Sequence, residues 1–246
     1  VTDDHRAKSA RGIALFDLDG TLIPWDTQML FCDHVLRREG WRRAYLPLFA
    51  AFLPVAPVLG DEGMKRVFLS YLWRADRRTI AEWAREFVAE FFPARCYPEL
   101  LEKLRLHRDA GHLTVLASAS PDLWVGEVGR VLGFDLALGT RLASTDPLPL
   151  FPELTNHKGA AKVRRLSEIL GPPAGTWPRS HGYSDSSADL PMLRCCDRNT
   201  LVNPSAALTA IGEEQGWEIL RPEEPWRGRS GQVKEVLRRI SGRGGC

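Results

Sequence analysis

Long apolar runs are scarce in this chain of 246 residues. Its uncharged stretch AYLPLFAAFLPVAPVLG, from Ala44 to Gly60, falls short of the roughly 20 apolar residues a membrane-spanning helix needs. It is also interrupted by Pro47, Pro54 and Pro57, each of which removes a helix hydrogen bond. A spanning helix is therefore not expected, and two readings stay open: packing inside a domain, or resting on a membrane surface beside the basic cluster RREGWRR (Arg37 to Arg43). An excess of one charge is missing too. Lys and Arg number 33 against 31 Asp and Glu, a net charge of +2, so there is no concentrated basic face for a phosphate backbone and no nucleic-acid partner is expected. The five cysteines (Cys32, Cys96, Cys195, Cys196, Cys246) are odd in number, lack metal-ligand spacing and include an adjacent pair. That pattern argues against a disulfide framework and for a reducing setting. The opening VTDDHRAKSARG has no apolar core of the kind a secretion signal needs. The expected location is cytoplasmic, at most peripheral to the inner face of a membrane. No internal repeat or low-complexity tract is present, and nothing in the sequence addresses the oligomeric state.

What is present is a globular composition, 44% hydrophobic and 26% charged, at a length that suits one core domain with an insertion. Short apolar runs GIALFDLD, HLTVLAS (His112 to Ser118), SHGYSD (Ser180 to Asp185) and RNTLVNP (Arg198 to Pro204) read as strands buried on both faces. Helical stretches PDLWVGEVGRVLG and AAKVRRLSEILG separate them, so the alternation predicts an α/β fold with a parallel sheet. Between the first and second strands the chain shows helical periodicity only. In TIAEWAREFVAEFF, Thr79 and Glu82 have capping-box spacing while Ile80, Trp83, Phe87 and Phe91 share a face. The expected organisation is a polar tail over 1–11, a core over 12–24 and 93–220, a helical cap over 25–92, and a tail over 221–246.

The stretch ALFDLDGTL, Ala14 to Leu22, ends a strand in two acids and a glycine. Ligands of parallel α/β sheets bind beyond the carboxyl ends of the strands, where Asp17, Ser118 and Asp185 all fall. A carboxylate can attack phosphorus and form an acyl phosphate, the role open to Asp17. Asp19, two residues on, could protonate the leaving oxygen and then deprotonate water, with Gly20 turning the chain beside it. Several carboxylates facing a phosphate need a hard cation among them. Mg²⁺ with oxygen ligands fits, drawn from Asp17, Asp19, Asp185 and Asp189, the last two one helical turn apart. A hydroxyl and a lysine would hold the phosphoryl oxygens: Ser118, and Lys158 or Lys162 in NHKGAAKV. Singly, each acid or serine is as readily a turn or helix cap; three at strand ends in this order are not.

Together, DLDGT (Asp17 to Thr21), SAS (Ser118 to Ser120), the lysine region and SDSSAD (Ser184 to Asp189) resemble the phosphatase branch of the haloacid dehalogenase superfamily. The motifs stand in family order and the likeness spans about Gly12 to Leu220. It implies a Rossmann-like core with a cap between the first two motifs, as in phosphoserine phosphatases. It also implies Mg²⁺ touching the backbone carbonyl of Asp19, and a pattern N-x-x-G-x-x-K-V met by Asn156, Gly159, Lys162 and Val163, which favours Lys162. Asp19 separates the chain from the dehalogenases, and DLDGT from the DKTGT of ion-pumping ATPases.

The implied substrate is a phosphate ester. Asp26 stands where phosphoserine phosphatases resemble one another in a glutamate that meets the substrate amine, so Asp26 is the substrate-binding candidate. The cap also resembles that of bacterial phosphatidylglycerophosphate phosphatases of this superfamily. A lipid phosphate and a small soluble ester such as phosphoserine or histidinol phosphate both remain, as do a phosphomutase or phosphotransferase and a non-catalytic membrane-associated binding protein.

Overall fold

The computed structural model describes residues 3–226 and 228–241. Residues 1–2, 227 and 242–246, Cys246 among them, lie outside that range. Seven strands form one sheet: β1 (Ile13–Phe16), β2 (Leu113–Pro121), β3 (Leu136–Leu142), β4 (Leu154–Thr155), β5 (Trp177–Ser184), β6 (Cys196–Val202) and β7 (Glu218–Leu220), in the order β4-β3-β2-β1-β5-β6-β7. All neighbours are parallel except β3 and β4. β1 is central, with Phe16 beside Leu116 of β2 and Tyr183 of β5.

Because strand side chains alternate, β1 feeds two apolar layers. Ala14 and Phe16 join one cluster, whereas Ile13 and Leu15 join another with Leu166, Met192 and Leu208. The helices are α1 (Asp3–Arg11), α2 (Thr27–Arg38), α3 (Tyr45–Phe52), α4 (Ala56–Phe68), α5 (Arg77–Phe91), α6 (Pro98–Asp109), α7 (Asp122–Leu132), α8 (Ala160–Leu170), α9 (Leu190–Leu193), α10 (Ala206–Glu214) and α11 (Gly228–Ile240). This is the α/β, Rossmann-like sheet with an inserted helical cap.

The insertion α2 to α5 carries no strand, and it is anchored firmly. Phe31 of α2 stacks on Trp124 of α7 with ring centroids 4.5 Å apart, and Phe87 and Phe91 of α5 share the cluster of Phe16. Phe31 and Trp124 are each fully buried. The uncharged run folds back on itself as α3 and α4, which touch each other, and Gly60 breaks α4 at φ +65°.

Several expectations need correction. Residues 3–11 form a helix rather than a tail, because Lys8 pairs with Asp135 at 2.6 Å and fastens it to the core. The segment after Arg221 is also structured in part: α11 lies on α2, with Arg239 donating to fully buried Asp33 at 3.0 Å and Tyr45 donating to the Ile240 carbonyl. Asp76, not Thr79, caps α5, accepting from the Thr79 N–H at 2.8 Å; Glu82 pairs with Arg78 instead. Strands β3, β4 and β7 have no apolar run to announce them. β3 carries Gly139 and Arg141, β4 has two residues and β7 three.

Candidate active site

Strand order reverses at β1, which opens a crevice above the carboxyl ends of β1, β2 and β5. Asp17 follows β1 directly, and its N–H donates to the Tyr183 carbonyl of β5 at 3.0 Å. The chain then turns tightly, with the Leu18 carbonyl accepting from the N–H groups of Thr21, Leu22 and Ile23. Gly20 sits at φ +79° in this turn, and a Cβ there would stand 2.3 Å from Asp185 Oδ2. Only glycine lets the Asp185 carboxylate approach this backbone so closely. Thr21 fixes Asp185 from both sides, donating to Oδ1 at 3.0 Å and accepting its N–H at 2.9 Å.

Lys162 enters from the first turn of α8. It is 1% exposed, and its Nζ lies 3.0 Å from Asp17 Oδ1 and 2.8 Å from Asp189. Ser184 donates to Asp189 at 2.8 Å, completing a buried cluster. Burial pushes the Asp17 carboxyl well above the usual carboxylate range. Lys162 opposes the rise, whereas Asp189, Asp185 and Asp19 add to it. Burial alone would depress Lys162, but Asp17 and Asp189 outweigh it and hold the ammonium above the ordinary lysine value. Asp185 is pushed up to about 6, chiefly by burial.

Asp19 turns to the opposite wall. Its carboxylate accepts from the Thr27 N–H at 2.6 Å, from Ser120 Oγ at 2.7 Å and from Ser118 Oγ at 3.3 Å. A cavity of about 480 Å³ opens over these groups, lined by Asp17, Asp19, Asp185, Ser120, Asp26 and, from the cap, Lys65. Sequence reading missed Lys65. It reaches 54 positions along the chain to the Ala119 carbonyl at 2.8 Å and also donates to Asn156 Oδ1 at 2.8 Å, while burial lowers it to about 8. It missed His157 as well, whose Nδ1 meets the Ser118 carbonyl at 2.9 Å and whose burial lowers it to about 4, leaving a neutral ring. No local pattern signals either contact.

The crevice thus gathers Asp17, Asp19, Ser118, Lys162, Asp185 and Asp189, with the following adjustments. Lys158 also lines the cavity, where it pairs with Asp61 of the cap rather than with these acids. Ser118 is fully buried behind Ala119 and Ser120, which form the cavity wall. Asp26 reaches the cavity, but its Oδ1 caps α2, accepting from the Gln28 and Met29 N–H groups. Asp189 meets Lys162 and Ser184, away from the cavity wall, and the Asp19 carboxylate meets Thr27 and Ser120. Among the described residues no three acidic, histidine or cysteine side chains converge on one metal position. The carboxylates on the cavity wall are Asp17, Asp19 and Asp185, beside the backbone at Gly20 that only a missing Cβ leaves open. Such a set suits a hard divalent cation that completes its shell with carbonyl, water and substrate oxygens.

The family described as haloacid dehalogenase-like hydrolase matches residues 14–194. The chain is a haloacid dehalogenase-like hydrolase. A histidinol-phosphatase of Neisseria meningitidis serogroup C (strain 8013) is 26% identical to it over 231 residues, covering 85% of this chain and 98% of that protein. A crystal structure of a Bordetella pertussis Tohama I protein of unknown function matches this hydrolase at TM-score 0.73 and 26% identity, over 85% of this chain and 98% of that one. A phosphoserine phosphatase in apo form shares the fold at TM-score 0.55 and 16% identity, over 92% of this chain and 98% of that one. The hydrolase is accordingly an enzyme of the capped phosphatase type.

Proposed function

We propose that this hydrolase cleaves a phosphomonoester in two steps through an aspartyl-phosphate on Asp17, with Mg²⁺ as its cation. The observation that carries this reading is the fully buried Lys162 ammonium held between Asp17 and Asp189, a fixed positive charge beside a strand-end carboxylate. An Asp17 oxygen attacks phosphorus, the ester P–O bond breaks, and Asp19 gives its proton to the leaving oxygen. Asp19 then takes a proton from water, the hydroxide attacks phosphorus, the bond to Asp17 breaks and phosphate leaves. Lys162 donates to the phosphoryl oxygens as charge moves among them. Ser118, whose hydroxyl meets Asp19 at 3.3 Å, is the hydroxyl that would join it if the wall formed by Ala119 and Ser120 gives way to the phosphoryl group. Asp17 and Asp185 would hold Mg²⁺, which when bound neutralises phosphoryl charge.

For the leaving group, a small soluble ester bearing an amine is the first reading. A cavity of about 480 Å³ suits a small ligand, and Asp26 on its wall supplies an acid for a cationic group. The name of the histidinol-phosphatase relative agrees with this. A second reading, an amphiphilic or lipid phosphate taken at the inner face of a membrane, has its own observation. Leu53 and Val58 of the charge-free run are 52% and 88% exposed, on the same run whose Phe49 lines the cavity. Phosphate release from histidinol phosphate, phosphoserine and phosphatidylglycerophosphate, with and without Mg²⁺ and alongside sedimentation with anionic vesicles, tests both. Preference for the lipid by about tenfold in kcat/KM, about 1.4 kcal/mol, reverses the order. Phosphoryl transfer without phosphate release would indicate a mutase or transferase, and neither activity a binding protein.

A further inference from the structure

The Asp19 carboxylate is reached by a chain of buried groups that crosses from the core to the cap. Trp124 Nε1 of α7 donates to Thr27 Oγ1 at 3.1 Å, Thr27 Oγ1 donates to Ser120 Oγ at 3.1 Å, and Ser120 Oγ donates to Asp19 Oδ2 at 2.7 Å. Trp124 and Thr27 are fully buried, so no solvent competes for the bond between them, whereas Ser120, 4% exposed, and Asp19 line the cavity. An indole N–H can only donate. The Thr27 oxygen accepts from it, while an ionised Asp19 only accepts and so takes the single Ser120 proton, which leaves Ser120 to accept from Thr27. The indole N–H and the carboxylate, one a donor only and the other an acceptor only, bound the chain at its two ends.

We infer that Trp124, Thr27 and Ser120 are positioning residues that aim Asp19 at the leaving oxygen and tie its orientation to the seating of the cap. The inference rests on the reading of Asp19 as general acid. The Thr27 N–H holds Oδ1 and the Ser120 hydroxyl holds Oδ2, so the carboxyl cannot rotate and its remaining face is the one on the cavity. Ser120 is spent as a donor to Asp19, so the proton Asp19 carries is left for the ester. Thr27 is also the first residue of cap helix α2, and Trp124 lies in the first turn of core helix α7. A tilt of the cap would break the bonds of Thr27 to Trp124, Ser120 and Asp19 and free the carboxyl to turn.

The test compares two esters. An aryl phosphate such as p-nitrophenyl phosphate leaves without protonation, whereas glycerol 2-phosphate needs a proton on its alkoxide. Thr27→Val keeps the shape and the backbone N–H and removes only the hydroxyl; Ser120→Ala removes the last donor. Both should lower kcat/KM for the alkyl ester at least about tenfold more than for the aryl ester, and Thr27→Ser should stay within about twofold of wild type on both. Equal losses on the two esters, or no recovery in Thr27→Ser, would mean packing alone and overturn the relay. Asp19→Asn serves as the control. Selective loss there without it in Thr27→Val and Ser120→Ala refutes the relay only. No selective loss in Asp19→Asn removes the general-acid reading, and the relay with it.

Discussion

Replacing Lys162 by methionine keeps the length of the side chain and deletes its charge. In the folded protein that leaves Asp17 and Asp189, whose side chains are 10% and 4% exposed, without the ammonium that both contact. Breaking a buried ion pair by removing one partner costs about 3–5 kcal/mol, because the charge left behind stays out of water. At about 2–4 °C per kcal/mol for a chain of this size, the unfolding midpoint should fall by about 6–20 °C in the presence of a chelator. Phosphate release should be lost as well. The double variant Lys162→Met with Asp189→Asn removes one of the stranded charges, so it should regain part of the stability and none of the activity. Lys158→Met is the matched control. Its side chain is 44% exposed and its partner Asp61 71% exposed, so it should cost at most about 1 kcal/mol and leave turnover nearly intact. Urea unfolding and phosphate release on the four proteins decide the matter. A Lys162→Met protein within about 1 kcal/mol of wild type, or a larger loss of turnover at Lys158, would refute the reasoning.

Chelation should abolish turnover and Mg²⁺ restore it, and Asp185→Asn should raise the Mg²⁺ concentration needed for half-maximal activity by about tenfold or more, the equivalent of about 1.4 kcal/mol of cation binding; an unchanged requirement would exclude Asp185 as a ligand. Away from the site, burial lowers His107 and His181 to about 4 each. Their folded values lie below the ordinary histidine value, so the stability they contribute is complete above about pH 6.5 and is lost as the pH falls to about 4. Urea unfolding followed over that window should show the loss, with a shallower dependence in His107→Gln; identical pH profiles for the two proteins would contradict it. Phe31→Ala should cost about 3–5 kcal/mol by emptying the contact with Trp124, and an effect below about 1 kcal/mol would mean that the cap is not anchored there.

Much of this was legible in the chain because β1 and β2 are apolar runs buried between neighbours, β5 and β6 bury the halves that end near the site, and Asp17 and Asp185 sit at strand ends. The choice between two lysines four positions apart was not fixed by composition. It depends on where α8 begins: Gly159, at φ +59°, precedes the helix, so Lys162 falls in the first turn facing the core and Lys158 before it facing the cap. Bonds such as Trp124 to Thr27, 97 positions apart, leave no periodic trace in sequence. The α5 cap was misread because Asp76 competes with Thr79 for the same role and is the residue whose carboxylate meets the helix N–H groups.

In the proposed reaction an Asp17 oxygen accepts the phosphoryl group. Rapid acid quenching during turnover of a slowly hydrolysed ester, followed by peptide mass mapping, tests it most directly. The account predicts the added mass of one phosphoryl group on the peptide containing Asp17, labile at alkaline pH, and absent in Asp17→Asn, which should fold and release no phosphate. An unmodified Asp17 peptide under conditions of full activity, or an Asp17→Asn protein within about tenfold of wild-type turnover, would contradict it.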